Sequence, residues 1–477
     1  MKFGGTSLAD AKRMRSAARR VAERVGRKPL VVVSALAGVT DRLVAIARAA
    51  EARNQSRSTA LLEELGRRHL ELLAELAPPS ARERAGIERD LEASADLARG
   101  IALLGECSAR TRDALLAQGE LLSHRLFVFA LAAEGVPAAA IDPRRLVPTD
   151  DDHGQATVDR AELAGRCSEL VVPCLARGLV PVTGGFVGAT SEAATTTLGR
   201  GGSDLSATLL GVALEASAVE IWTDVDGLMS ADPRVVPEAR TLREIGFRAA
   251  SELAFFGANV LHPATIKPAV QRGIPVHVKN SLRPESAGTV VRELAPEERS
   301  LTGVVRAVAW KTSVLTISVS STLMVGVHGF LARLFAVFDR HRTPVDVVTT
   351  SETSVSMTIE RADRLDAIVR ELSELGRVQV ARDTALVCLV GERLLDHPEL
   401  VGAVLSTLAG VPLRMFCLGS SDVNLTLVVE SARAEEVVRR LHARFLEPSR
   451  GRRDSVPAEE SLGEPVPTLS RALSEGD

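Results

Sequence analysis

The feature that most constrains this chain is the alternation, through its first half, of short continuous apolar runs with longer helical patterns. Leu30-Val31-Val32-Val33 is apolar at every position, which suits a parallel strand buried on both faces. Ahead of it, Met14, Ala17, Ala18, Val21 and Val25 share one face of a helix expected over Ala9 to Val25. Further helical patterns fall at 41–52, 57–76, 80–104 and 108–134. Strand candidates fall at 136–141, 179–183, 218–222 and 275–279. This alternation argues for a layered α/β domain over 1–295, with its ligand crevice at the carboxyl ends of the strands.

Near residue 295 the texture changes. Leu294-Ala295-Pro296-Glu297-Glu298-Arg299 reads as the start of a linker, placed at 296–310, and the elements beyond it are shorter and richer in strand. Laid on itself 70 residues apart, the chain repeats. Leu334 falls on Val404, Phe338 on Leu408, Val345 on Met415, Ser351 on Ser421 and Glu352 on Asp422, while Val355 to Glu360 falls on Leu425 to Glu430. Two tandem α+β modules, 311–382 and 383–447, are the economical explanation. From Pro448 to the end, Pro, Ser, Glu and Arg dominate, and 448–477 is expected to be a disordered tail.

Composition removes several functions. A chain of 477 residues exceeds the usual size of one hydrophobic core, so two or three domains are expected. Lys plus Arg is 58 against 61 for Asp plus Glu, a formal charge of -3, so nucleic acid is not an expected partner. Aromatic residues make up 3% and Tyr is absent, which also argues against base stacking. The five cysteines, Cys107, Cys167, Cys174, Cys388 and Cys417, show no CxxC spacing and read as buried free thiols. No apolar run looks long enough to span a membrane, and a reducing, cytoplasmic setting is the default.

Three glycine- or proline-shaped loops carry the chemistry. The first is Lys2-Phe3-Gly4-Gly5-Thr6-Ser7, where glycines let backbone N–H groups approach an anion and the lysine adds a full charge. Taken alone, it could equally be a plain strand-to-helix turn. The second runs from Thr195 to Asp204 (TTTLGRGGSD), with a helix expected over Leu205 to Leu214, Ser203 as its cap and Asp204 in its first turn. Arg200 between two glycine breaks offers a fork for a carboxylate or phosphate. The third is Ile221-Trp222-Thr223-Asp224-Val225-Asp226-Gly227 followed by Asp232-Pro233-Arg234, which by itself reads as an ordinary hairpin. Together Lys2, Arg200 and Arg234 form the kind of cation set a polyphosphate needs. HExxH, CxxC and GxSxG patterns are absent.

These motifs, with Val33-Ser34-Ala35, Gly38-Val39-Thr40, Gly119-Glu120-Leu121, Phe256-Gly257-Ala258 and Leu261-His262-Pro263, resemble aspartate kinase (aspartokinase) in order and spacing. The likeness runs from Lys2 to about Phe445 and is to the monofunctional, lysine-sensitive class. The resemblance implies an amino-acid kinase fold, with a mainly parallel central sheet, followed by two ACT-type (ferredoxin-like) modules. It implies transfer of the ATP γ-phosphoryl group to the β-carboxylate of L-aspartate, giving 4-phospho-L-aspartate on the route to lysine, threonine and methionine. By similarity Lys2 sits at the transferring phosphoryl group, positioned by Asp204. Thr40, Glu120, Phe186, Arg200 and Ser203 serve aspartate, Arg200 at its α-carboxylate and Glu120 at its α-ammonium. Lys2, Phe3, Gly4, Gly5, Thr223, Asp224, Met229, Arg234 and Asn259 serve ATP, and Mg2+ is carried by the nucleotide with no protein metal site.

The chain departs from that family at several points. Asn259 stands where a lysine is usual, and Met229 where an aromatic is common. Lys2 follows Met1 directly, where relatives first carry several apolar residues, so the expectation is an upstream start or a first strand nearly missing, with Lys2 poorly anchored. In the first repeat, Met324, Gly329, Phe330, Leu331, Val345, Asp346, Ser351 and Glu352 match the positions of a lysine effector site, with Val327 in place of a polar residue. Such modules pair across a homodimer or tetramer interface. Two other readings stand beside this one: a same-fold kinase of another acidic amino acid, and a catalytically impaired amino-acid sensor.

Overall fold

The computed structural model describes residues 1–256, 263–294, 304–360, 363–419 and 421–447. Its first part carries ten strands among the described residues: β1 (Lys2–Phe3), β2 (Val31–Val33), β3 (Ala138–Ile141), β4 (Val180–Gly184), β5 (Val187–Ala189), β6 (Thr195–Thr197), β7 (Val219–Thr223), β8 (Glu244–Gly246), β9 (Val276–Asn280) and β10 (Thr289–Arg292). Eight of them form one sheet in the order β3-β4-β2-β1-β7-β9-β10-β8. Its pairings are parallel apart from β9 with β10. The expected strands at 136–141, 179–183, 218–222 and 275–279 are β3, β4, β7 and β9. The antiparallel β5–β6 ribbon, the edge strand β8 and its neighbour β10 had no clear apolar run to reveal them.

The two-residue β1 lies at the centre of this sheet. Lys2 pairs with Val32 and Ile221, and Phe3 with Val33 and Trp222. Met1 extends the ladder, donating to the Leu30 carbonyl at 2.7 Å and accepting from Val32 N at 2.8 Å. Pairing on both sides fixes so short a strand. Phe3, fully buried, adds ring contacts with Phe127 at 5.5 Å and Trp222 at 6.1 Å between centroids.

The flanking helices follow their local signals. Ala11–Ala22 is capped by Asp10, whose side chain accepts from Arg13 N, and Ala81–Leu104 opens with a Ser80–Glu83 capping box and closes at left-handed Gly105. The single helix expected at 108–134 is two, Ala109–Leu116 and Gln118–Ala133, meeting at Ala117. Contrary to the sequence expectation, Ala109–Ala133 is long and apolar enough to cross a membrane by length and composition. Within the fold, 78% of its most apolar window is buried, so it serves as a core helix.

The second part is one six-stranded sheet, built from β11 (Val305–Ser320), β12 (Val348–Thr350), β13 (Ser354–Glu360), β14 (Arg377–Gly391), β15 (Met415–Cys417) and β16 (Asn424–Glu430), in the order β12-β13-β11-β14-β16-β15. The repeat is real in its elements: β13 and β16 stand 70 residues apart, as the alignment required. The tandem division, however, needs correcting. β11 and β14 are long strands that each serve both modules. The Val314–Ser320 half of β11 pairs with β13 and the first half of β14, whereas Val305–Lys311 pairs with Leu386–Gly391. One core joins Leu315, Ile317, Phe330, Leu334 and Ile368. The other joins Val305, Val308, Val387, Leu427 and Val437. The first module is therefore inserted within the second, and residues 305–310, expected in a linker, are strand. Residues 295–303 and 448–477 lie outside the described residues.

The two parts pack closely. The helix Phe247–Phe256 meets the six-stranded sheet, with Asn424 Nδ2 donating to Glu252 at 2.7 Å and Arg248 pairing with Asp422 at 2.5 Å. Ala307, Ala309, Leu386, Cys388 and Val390 complete the core that strands of the first part begin. The cysteines are free thiols, three buried and two, Cys107 and Cys417, half-buried.

Close backbone approach at the end of β4 is the constraint most easily tested. A Cβ on Gly185 would lie 2.7 Å from Ser203 Cα and 3.0 Å from Val32 Cγ1. Gly185→Ala is expected to cost about 1–3 kcal/mol in denaturant unfolding, whereas Gly26→Ala, with open space around its Cβ, should unfold close to the wild-type midpoint.

Candidate active site

The carboxyl ends of β1, β2, β4 and β7 converge on one region, and the loops leaving them supply its polar groups. After β1 the chain turns through Gly4 and Gly5 into a short 3-10 helix, Gly5–Leu8. Gly5 has no room for a side chain: a Cβ would lie 2.7 Å from the Ala35 carbonyl oxygen. Gly4 N donates to the Trp222 carbonyl at 3.0 Å. Ser7 Oγ donates to Ser281 Oγ at 2.7 Å, and Ser281 Oγ to the Thr223 carbonyl at 2.9 Å. The Lys2 turn is thereby tied to the end of β7.

Lys2 is not loosely held. Its Nζ lies 2.6 Å from Asp204 Oδ1, with side-chain exposures of 10% and 14%. Asp204 stands in the first turn of the helix Gly202–Ala213. That helix starts earlier than expected, and its cap is Gly201, in the left-handed region at φ 73°, rather than Ser203. Glycine removes the steric cost of that backbone and lets the helix N-terminus approach the strand ends. A Cβ on Gly202 would touch the Phe186 ring at 2.8 Å. Phe186 itself holds φ 64° and donates its N–H to Ser206 Oγ at 3.0 Å.

Glu120 enters from the helix Gln118–Ala133. It is buried, packs on Gly184, and accepts from Ala35 N at 3.1 Å through Oε1, while Oε2 has no hydrogen-bond partner. Burial pushes its carboxyl up to about 8, against the pull of the Ala35 N–H, a second backbone contact and the Lys2 ammonium. A buried carboxyl with one unpartnered oxygen can accept from a cationic group.

The expected site residues fall into three groups. Lys2, Gly4, Gly5, Glu120, Phe186, Ser203 and Asp204 gather around the β1, β2 and β4 ends. Thr40, on the first turn of the helix Val39–Glu51, is half-buried. Thr223, Asp224, Met229 and Arg234 line a cavity of about 860 Å³. Arg234 is held by Asp232 through Nη2 to Oδ2 at 2.7 Å and Nε to Oδ1 at 3.0 Å. Arg200 stands apart: exposed, it lines a cavity of about 510 Å³ with Gly154, Gln155 and Arg160, sharing no residue with the larger one. Phe3 points into the core, so only its backbone faces the turn. Asn259, with Gly257, Ala258, Leu261 and His262, lies outside the described residues.

Sequence reasoning missed Asp113. Buried, it accepts from Thr197 N at 3.1 Å, Thr197 Oγ1 at 2.6 Å and Gly154 N at 3.0 Å, and meets His153 Nδ1 at 3.0 Å. It fixes β6 just before the Gly199–Gly201 loop. One acid on a helix face carries no sequence signal for that role. Among the described residues no three His, Cys, Asp or Glu side chains gather to hold a metal ion.

Comparison with known proteins gives this geometry a family. The amino acid kinase family pattern matches residues 1–280, and the ACT domain pattern matches 317–373 and 387–445. The lysine-sensitive aspartokinase 3 of Escherichia coli is 40% identical over 454 residues, covering 94% of this chain and 98% of the relative. The chain belongs to the aspartokinases. A chloroplastic aspartokinase 3 of Arabidopsis thaliana is 35% identical, over 94% of this chain and 81% of its own length. Among solved structures, Escherichia coli aspartokinase III with aspartate and ADP (R-state) superposes with a TM-score of 0.79 at 39% identity, over 94% of this chain and 99% of that one. The same enzyme with lysine and aspartate (T-state) gives 0.80 at 40% identity, with equal coverage. This aspartokinase is therefore an aspartate kinase with an amino-acid kinase fold and regulatory ACT modules.

Glu120 gives the aspartokinase a titration to check. Between about pH 4.5 and 8 the folded chain keeps a proton on Glu120 that the unfolded chain releases. This contribution to stability is full below the lower value and is lost as pH rises through the upper one. Thermal melts across that window should show a shallower loss of stability with rising pH for Glu120→Gln than for the wild type.

Proposed function

We propose that this aspartokinase transfers the γ-phosphoryl group of ATP to the β-carboxylate of L-aspartate by positioning and charge compensation, without a general base. The nucleophile needs no deprotonation, because a carboxylate with an ordinary pKa of about 3.9 is ionised at neutral pH. The site must hold two anions in line and offset their repulsion. The observation that carries this reading is the Lys2–Asp204 pair at the head of the central strand. It sits where the Gly4-Gly5 turn and the N-terminal end of the helix Gly202–Ala213 meet. Lys2 faces the transferring phosphoryl group and Asp204 aims it. A helix N-terminus beside it adds a favourable dipole for anions.

The other roles follow from chemistry. The free oxygen of Glu120 suits the α-ammonium of aspartate, and the exposed Arg200 fork suits its α-carboxylate once the 199–201 loop folds over the substrate. Thr40, Phe186 and Ser203 border that pocket. Thr223, Asp224, Met229 and Arg234 bound a cavity large enough for a nucleotide. Mg2+ enters as part of the nucleotide substrate and supplies charge neutralisation at the phosphate oxygens. A free α-amino acid, rather than an N-acylated one, is the substrate class that Glu120 and Arg200 recognise together.

The regulatory half is read as a lysine-responsive device in a cytoplasmic homo-oligomer. The relatives whose names record lysine sensitivity support this. Asp346 is the strongest local support. It is half-buried, its Oδ2 has no hydrogen-bond partner, and burial raises its carboxyl pKa, with Lys311 opposing and Glu360 reinforcing the shift. Gly329 caps the helix Phe330–Arg340 at φ 80°, leaving backbone amides for a carboxylate. Phe330 is buried in the module core, Leu331 is exposed, and Val345 packs against that core. Met324 ends a short 3-10 turn, while Glu352 is exposed in the turn that Ser351 closes onto Ser354 at 2.8 Å. The exposed edge strand β12 offers a surface for pairing with a second copy.

A hydroxamate assay with ATP and aspartate tests the reaction. Lys2→Ala should lower kcat by about a hundredfold or more, the scale of losing one transition-state donor, with a smaller change in aspartate KM; unaltered turnover would remove Lys2 from its role. Asp346→Asn should leave turnover without lysine near wild type and move the lysine inhibition curve roughly tenfold higher, as loss of a charge-assisted contact implies. Superimposable curves would place the effector elsewhere.

A further inference from the structure

The loop that carries Arg234 is built more on the regulatory half than on the kinase sheet. Ser230 O accepts from Val308 N of β11 at 2.8 Å. Ser230 Oγ, which accepts from Arg240 N at 3.0 Å, lies 3.0 Å from His442 Nε2 on the helix Ser431–Phe445. From the same helix Arg439 Nε donates to the Val235 carbonyl at 3.1 Å. Between these anchors Ala231, Val235 and Val236 are buried in the core of the second regulatory module, with Trp310 of β11 packed against them. Trp310, Lys311 and Thr312 line the same cavity of about 860 Å³ as Thr223, Asp224 and Arg234. One wall of that cavity is thus regulatory strand.

From this geometry we infer that Trp310 and Arg439 are positioning residues for nucleotide binding: they clamp the Ala231–Val236 loop from the regulatory side, so that Arg234 is presented to the polyphosphate only when the second module is docked. The inference rests on the reading that this cavity takes ATP. A clamp of this kind acts through Arg234 and Asp232. Asp232 accepts from Arg234 through its backbone N–H, Nε and Nη2, and Asp232 is itself kept below the usual carboxylate range by Arg234 first, with the Trp310 side chain contributing. Loosening the loop lets Arg234 sample orientations that miss the phosphates, which costs ATP affinity and leaves the Lys2–Asp204 centre unaltered. The binding of aspartate, at the β2 and β4 strand ends, does not pass through this loop.

Steady-state kinetics on the full chain test the clamp. Trp310→Ala and Arg439→Ala should each raise ATP KM about three- to tenfold, with aspartate KM and kcat at saturating ATP within about twofold of wild type. Trp310→Phe, which keeps a flat ring against Ala231, Val235 and Val236, should restore most of the ATP affinity. Arg439 is more than half exposed, so its variant probes the clamp without opening a core. An unchanged ATP KM in both alanine variants, or an equal rise in aspartate KM, would overturn the inference. Arg234→Ala separates the two levels. If it raises ATP KM while neither regulatory-side variant does, the clamp alone is wrong. If it leaves ATP KM unaltered, the cavity is not the nucleotide's and the inference falls with that reading.

Discussion

A lysine ammonium with a tenth of its side chain exposed must have a carboxylate beside it, and Asp204 supplies one at 2.6 Å. Leaving either partner alone in such a setting costs about 3–5 kcal/mol, so the pair binds together the elements that carry it. Lys2 is on the central strand and Asp204 on the first turn of the helix that leaves the glycine-rich loop. For the two to meet, the backbone must come unusually close at Gly5, Gly184, Gly185 and Gly202, where any Cβ would fall within 3 Å of a neighbour. These glycines are the geometric consequence of bringing one cation, one acid and one helix N-terminus to a single point.

The same compactness explains why Glu120 is buried with only a backbone N–H to meet its carboxyl. Its carboxyl sits behind the Ala35 N–H with one oxygen free, so the folded chain holds it neutral up to about pH 8. A strained element lies close by: Phe186 holds a left-handed backbone, unfavourable for a bulky residue, and is retained through its bond to Ser206 and its contact with Gly202.

In the regulatory half, two long strands are shared by both modules, and this sharing makes the sheet one mechanical unit. The helix Phe330–Arg340 shares its core with Leu315, Ile317 and Val319 of β11, and β13, which follows the turn near Ser351, pairs with β11. β11 continues through a register shift between Lys311 and Val314 into the wall of the cavity that holds Arg234. Lys311 marks the junction, pairing with Glu360 on the regulatory side and lying 5.1 Å from the Phe255 ring on the kinase side. Both halves of the molecule thus contact one continuous strand, a physical connection of the kind that coupling between distant sites can use.

Sequence alone determined the layered class, the positions of β2, β3, β4, β7 and β9, the glycine-rich loops and the repeat of β13 in β16, because local periodicity and turn chemistry are written in neighbouring residues. It also singled out Lys2, Glu120 and Asp204 through the resemblance their motifs carry, and the fold brings the three to one region. It could not reveal that Lys2 is well anchored despite a two-residue strand, since that anchoring comes from β2 and β7, far along the chain. Nor could it place the helix cap at left-handed Gly201 instead of Ser203, or show Gly202 packed against Phe186. The nesting of one module inside the other and the burial of Ala231, Val235 and Val236 against Trp310 were equally hidden. The role of Asp113, which gathers Thr197 and Gly154, was hidden too. Each depends on contacts between residues tens to hundreds of positions apart, and only the closed tertiary structure brings those partners within reach.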